Sequence, residues 1–204
     1  MLFSENLPNL QSKIRILHAI PSEQAVDIYL TGNLMGENLV FSDITCYENI
    51  SSDSYEVQIY SAGTYARPLF SKTIEILPNT TSTISIVSLN NNIDIFVLND
   101  ASVEGELTSC FLRFIHLSPN APLLTLSLPN NTILFGNVEY LEKTGYYPLS
   151  PAIYDFKFSF SAIIGLSRYI SQKTLRNGKF YTIYIIGLVN KEPNMGYLMV
   201  EDGR

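Results

Sequence analysis

The chain has 204 residues, 46% hydrophobic and 16% charged, so it can bury a core and lacks the composition of a disordered segment. Its formal charge of −6 is uneven: residues 1–104 carry 4 basic and 12 acidic side chains, residues 105–204 carry 9 and 7, making the halves −8 and +2. The acidic first half argues against a nucleic-acid partner, no apolar run approaches the ~18 residues of a membrane span, and Met1 to Pro8 shows no signal-peptide core.

Residues 1–12 read as a polar leader. A series of short alternating runs follows, rich in Ile, Val, Thr, Tyr and Phe, as strands require. Ile14 to His18 places Ile14, Ile16 and His18 on one face and Arg15 and Leu17 on the other; Pro21 and Ser22 close it. Val26 to Leu30, a short strand around Leu34, and Leu39 to Phe41 come next. Tyr55 to Tyr60 alternates most cleanly, with Tyr55, Val57 and Ile59 inward. Phe70 to Leu77 is followed by Thr83 to Leu89 and Ile93 to Leu98, joined by an Asn90-Asn91-Asn92 hairpin that tolerates left-handed backbone.

The order then repeats: Phe111 to Leu117, Leu124 to Leu128, Ile133 to Phe135 with Val138 to Leu141, Ile153 to Phe160, Ser167 to Thr174, Phe180 to Val189 and Tyr197 to Val200. No segment has a helical period. Arg15-Ile16-Leu17-His18-Ala19-Ile20-Pro21 returns as Arg113-Phe114-Ile115-His116-Leu117-Ser118-Pro119, and Tyr47 and Tyr55 return as Tyr146 and Tyr154. Leu98-Asn99-Asp100 matches Val200-Glu201-Asp202. So long a period marks a duplicated domain rather than a solenoid unit. The expected fold is all-β: two tandem antiparallel, immunoglobulin-like sandwiches of about seven strands each, over residues 13–104 and 110–204, with a linker at 105–109.

These motifs resemble the bacterial domain-of-unknown-function family 4397 (DUF4397), which typically opens with a strand ending in His, then Ala or Leu, Ser and Pro, then an Ala-Val-Asp-Val-Tyr-type strand. The first repeat reads Leu17-His18-Ala19-Ile20-Pro21 and Ala25-Val26-Asp27-Ile28-Tyr29, with Phe41-Ser42-Asp43 and Tyr47 matching a later element. The second keeps His116, Ser118 and Pro119 but has Leu124-Thr125-Leu126 where the Asp strand belongs. The resemblance covers residues 13–202 as a tandem repeat. It implies a β-sandwich, usually in secreted or surface proteins, with no established enzymatic activity.

His18 and His116 invite a test as bases or metal ligands. Asp27 could orient His18 across a hairpin, but its counterpart is Thr125, so no duplicated His–Asp device exists. Two histidines in separate domains and two unmatched cysteines, Cys46 and Cys110, do not supply the three or four ligands of a zinc site, and the cysteines are expected as free thiols. His18, Pro21, Asp27, Tyr47, Tyr55, His116, Pro119, Tyr146 and Tyr154 are therefore expected as structural motif residues, the tyrosines pinning turns by their hydroxyls. No catalytic residue, metal or cofactor is expected. Leu17, Val87, Phe96, Tyr184, Ile186 and Leu198 lie opposite the core set, so a sheet face is covered by the other repeat or by another molecule. The expected function is that of a non-enzymatic structural or adhesion-type protein of a bacterial cell- or spore-surface assembly, with self-association or surface-layer partners. The rival reading is a carbohydrate- or small-ligand-binding module using the loops at one sandwich end.

Overall fold

The computed structural model describes residues 11–22, 24–101, 108–160 and 167–203. The expected leader lies outside them except for Gln11 and Ser12, which already belong to the first strand, and most of the expected linker lies outside them too.

Among the described residues sixteen strands are formed, eight per half against the expected seven or so. The first half contains β1 (Gln11–His18), β2 (Val26–Leu30), β3 (Asn33–Leu39), β4 (Glu48–Ser51), β5 (Ser54–Ser61), β6 (Phe70–Glu75), β7 (Thr81–Leu89) and β8 (Asn92–Asp100). The second contains β9 (Cys110–His116), β10 (Leu124–Ser127), β11 (Ile133–Val138), β12 (Tyr147–Leu149), β13 (Ala152–Phe160), β14 (Ser167–Leu175), β15 (Phe180–Ile186) and β16 (Gly196–Asp202). The additional strands, β4 and β12, are short and mostly exposed, so they carry no alternating pattern to read.

Each half is a sandwich of two four-stranded sheets, β4-β1-β7-β8 on β3-β2-β5-β6 and β12-β9-β15-β16 on β11-β10-β13-β14. Pairing is antiparallel except for one central pair in each half, where β1 runs parallel to β7 and β9 parallel to β15. Turn chemistry follows the residues: Asn90 and Asn91 both take positive φ, 52° and 61°, in the two-residue loop that lets Leu89 pair with Asn92.

The first sandwich closes over Ile14, Ile16, Ile28, Val57, Ile59, Ile84 and Ile86, the second over Leu112, Phe114, Leu126, Phe156, Phe158, Ile183 and Ile185. A third apolar cluster lies between the halves, joining Leu17, Val87, Phe96 and Leu98 to Ile115, Leu117, Tyr184 and Ile186. The molecule is thus a stack of four sheets. The two inner sheets are buried on both faces, and their central strands are continuously buried rather than alternating: β7 from Thr81 to Val87, and β15 from Tyr181 to Ile186.

Candidate functional site at the junction of the two sandwiches

The face of β1 that points away from its own core carries Arg15 and Leu17; on β9 the same face carries Arg113 and Ile115. Parallel pairing sets Arg15 beside Thr83 and Arg113 beside Thr182. The last strand of each half delivers an aspartate to this face, Asp100 and Asp202. Stacking the inner sheets makes these six residues one buried cluster with an approximate twofold relation.

Each arginine stays with its own half through Nε, which donates to Thr83 Oγ1 at 2.8 Å for Arg15 and to Thr182 Oγ1 at 3.0 Å for Arg113. Each reaches across with the rest of its fork. Arg15 pairs with Asp202 and donates to the Glu201 carbonyl at 3.1 Å; Arg113 pairs with Asp100 and donates to the Asn99 carbonyl at 2.8 Å. The threonine hydroxyls donate to the aspartate of their own half. Tyr47 Oη donates to Asp100 and Tyr146 Oη to Asp202, each at 2.7 Å, and their rings lie under Arg15 and Arg113 with the guanidinium carbon 4.4 and 4.6 Å from the centroid. Two cations and two anions cancel, and every side chain in the four charged positions is at most 5% exposed.

Burial governs the protonation equilibria. It lowers the arginine values, yet the surrounding acidic groups, chiefly Asp202 for Arg15 and Tyr146 with Asp202 for Arg113, more than offset it, and both rise. Burial and then Asp100 raise Tyr47; burial and then Asp202 raise Tyr146. Asp202 is raised by burial and by its neighbour Asp100, against the pull of the two arginines. The network is therefore fully ionised on its basic side and fully protonated on its phenols at neutral pH.

Around it packs the apolar set that the alternation left unpartnered. Leu17, Val87, Phe96, Tyr184 and Ile186 are buried and Leu198 is partly buried, all against the other half of the same chain. The twofold relation breaks at Ser85, which lies on β7 beside Leu17, where β15 has Tyr184 beside Ile115. Among the described residues neither Ser85 Oγ nor Tyr184 Oη has a hydrogen-bond partner, and burial pushes the Tyr184 hydroxyl up to about 12.

The two histidines sit at the ends of β1 and β9, with no exposure to speak of. The Ser118 N–H donates to His116 Nδ1 at 3.2 Å, which leaves the proton on Nε2 to bond the Pro122 carbonyl at 3.2 Å. Burial takes His116 down to about 4 and lowers His18 as well. Asp27 does not partner His18. It faces out from β2, and its two carboxylate oxygens accept the backbone N–H groups of Asn38 at 2.7 Å and Gly63 at 2.8 Å. The His–Asp pairing set aside on the sequence is not formed, since the two residues belong to different sheets of the sandwich.

Pro21 and Pro119 come together at one end of the junction, lining a cleft of ≈ 440 Å³ with Ile20, Leu89, Tyr140 and Leu188. Tyr140 Oη donates to the Ser88 carbonyl across the junction at 2.6 Å. The four sequence-selected tyrosines divide into two pairs. Tyr55 and Tyr154 donate to the carbonyls of Ser51 and Ser150, four residues back, at 3.0 and 2.7 Å, and pin a corner. Tyr47 and Tyr146 hold the buried aspartates instead. Cys46 is exposed and Cys110 buried, both as free thiols, with burial raising Cys110. Among the described residues no group of three or more His, Cys, Asp or Glu is arranged for a metal ion, and no helix is long and apolar enough to cross a membrane.

Sequence reasoning did not single out the central feature, Arg15, Arg113, Asp100 and Asp202. A signal was present: an arginine inside an apolar strand at the same place in both repeats, and an aspartate ending both last strands.

No curated protein matches the chain in sequence. Among solved structures, a candidate cell adhesion protein from Parabacteroides distasonis ATCC 8503 aligns over 94% of this chain and 98% of its own, at 6% identity and a TM-score of 0.25, a likeness too low to carry an argument. Residues 12–127, more than half of the chain, match the family model described as a domain of unknown function (DUF4397), and the chain belongs to that family.

Proposed function

We propose that the protein is a non-enzymatic structural or adhesion-type component of a bacterial cell- or spore-surface assembly, built from two copies of the family domain. The observation that carries this reading is the reciprocal Arg15–Asp202 and Arg113–Asp100 network. This network joins one sandwich to the other, and its four charged side chains are at most 5% exposed. Such a network suits a unit that must hold two domains in one fixed orientation, because a bidentate fork satisfied on every side fixes direction as well as distance. Surface labelling of intact cells and spores of the organism that makes the protein tests it. Antibody access on intact particles is expected; recovery only from the soluble interior would refute the surface role.

A second reading, a carbohydrate-binding module, is favoured by one observation: a cluster in which Tyr29 and Tyr60 of the outer sheet of the first sandwich meet Tyr65 from the loop after β5.

A further inference from the structure

Asp27 has no part in the histidine chemistry and no equivalent in the second half. Its Oδ2 accepts the N–H of Gly63, which holds the turn between β5 and β6 where Gly63 takes a φ of 73° and Thr64 bonds back to the Ser61 carbonyl at 3.0 Å. That turn leads into Tyr65. The Tyr65 ring lies on Tyr60, with centroids 4.7 Å apart and planes within 24°, and Tyr29 stands edge-on to both at 5.5 and 4.8 Å. Tyr60 is buried, whereas Tyr65 is 56% exposed. The cluster thus presents one open aromatic face on a supported base.

The second sandwich shows that the fold does not need this cluster. Its strand register places Thr125 where the first half has Asp27, Ser127 where it has Tyr29 and Ser159 where it has Tyr60. The Thr125 hydroxyl keeps one of the two duties of Asp27, accepting the Asn137 N–H at 3.1 Å. A feature that one copy dispenses with while keeping sheet, core and corner is not there for the core.

We infer that the Tyr29–Tyr60–Tyr65 face is a binding site for a neutral, β-linked pyranose chain, whose flat C–H face stacks on Tyr65. The geometry decides among ligand classes. A cation cage needs a gap between rings for the charge, within ~6 Å of each centroid; the Tyr60–Tyr65 stack closes that gap. A polyanion meets a half-chain of net charge −8. A folded protein partner needs ~800 Å² on this surface, and one open ring of three cannot supply it, since a whole tyrosine buries only ~150–250 Å². A sugar ring matches the size and the amphipathic edge: Gln24 and Ser61, joined by a 2.6 Å hydrogen bond on the exposed side, provide amide and hydroxyl groups beside the turn.

This inference rests on the second reading above. Calorimetric titration of the full chain with cellohexaose, chitohexaose and polygalacturonate tests it, beside the Tyr65→Ala, Tyr65→Phe and Tyr169→Ala variants; Tyr169 is the comparably exposed tyrosine of the second half. At least one neutral hexaose is expected to bind. Tyr65→Ala should weaken that binding roughly tenfold at an unchanged melting temperature, while Tyr65→Phe and Tyr169→Ala retain it and polygalacturonate gives no heat. Absence of binding by either hexaose, equal affinity in Tyr65→Ala, or equal affinity for polygalacturonate overturns the inference. None of these outcomes touches the surface assignment, which the labelling of intact cells decides separately.

Discussion

Replacing Arg113 by methionine probes the junction most directly. The substitution keeps an unbranched side chain of similar reach and deletes the guanidinium. Five interactions go at once: the ion pair with Asp100, the longer 3.6 Å pairing with Asp202, the 2.8 Å bond to the Asn99 carbonyl, the 3.0 Å bond to Thr182 and the cation over Tyr146. Asp100 keeps its bonds from Tyr47 and Thr83, but the nearest remaining cation is Arg15, 3.8 Å away and already committed to Asp202. A buried cluster that was neutral then carries a net −1. Breaking a buried pair in this way costs about 3–5 kcal/mol, a large part of the ~5–15 kcal/mol that holds a typical domain together. For a chain of this size that corresponds to a fall in Tm of roughly 10 °C. Urea unfolding followed by circular dichroism gives the magnitude, and tyrosine emission gives an independent probe, since the chain has no Trp. Two further variants sharpen the test. Arg15→Met should cost the same within about 1 kcal/mol, because its surroundings match bond for bond; and Asp100→Asn added to Arg113→Met should recover at least ~1 kcal/mol by removing the stranded charge. A cost below ~1 kcal/mol for Arg113→Met, or clearly unequal costs for the two arginines, would show that the network does not clamp the halves.

Stability should fall with acid through His116. Its value drops from the ordinary 6.5 to about 4 on folding, so the unfolded chain takes up the proton first. The contribution is complete above pH 6.5 and is lost as pH falls through about 4, an effect of at most ~3 kcal/mol. Asp202, raised on folding, works in the opposite sense and loses its contribution as pH rises through its folded value, so the comparison to make is wild type against His116→Gln: a wild-type decline between pH 7 and 4.5 that the variant does not flatten would refute the assignment. Tyr184→Phe removes a buried hydroxyl that has no partner among the described residues and should leave stability unchanged or raise it by up to ~1 kcal/mol in the same unfolding assay; a loss above ~1 kcal/mol would mean that the hydroxyl is bonded. Gly187→Ala should cost roughly 2 kcal/mol or more, because φ is 85° there and a Cβ would stand 2.5 Å from the Asn194 carbonyl oxygen; a melting temperature equal to wild type would contradict that backbone.

The sequence by itself determined the class of fold, the duplication and the face of each opening strand. Strand class and face follow from local periodicity: Ile14, Ile16 and His18 can turn to one core only if Arg15 and Leu17 turn away from it. It also showed that a second face was covered, since Leu17, Val87, Phe96, Tyr184 and Ile186 cannot all stand in water, yet it left open whether a neighbour or the same chain covers them. Only the tertiary structure decided that, because packing one half on the other is a non-local event that no strand's own pattern encodes. The same holds for the ion network: Arg15 and Asp202 are 187 positions apart and belong to different sandwiches, and each looks like a solvated surface charge until the inner sheets meet. Tyr65 shows the converse. It sits in a loop with no period to read, and its neighbours Tyr29 and Tyr60 come from two strands whose pairing brings the three rings together. Asp27, expected from the sequence as a structural residue, holds that loop and not His18, because side chains that alternate along a strand can serve only the sheet face they point from.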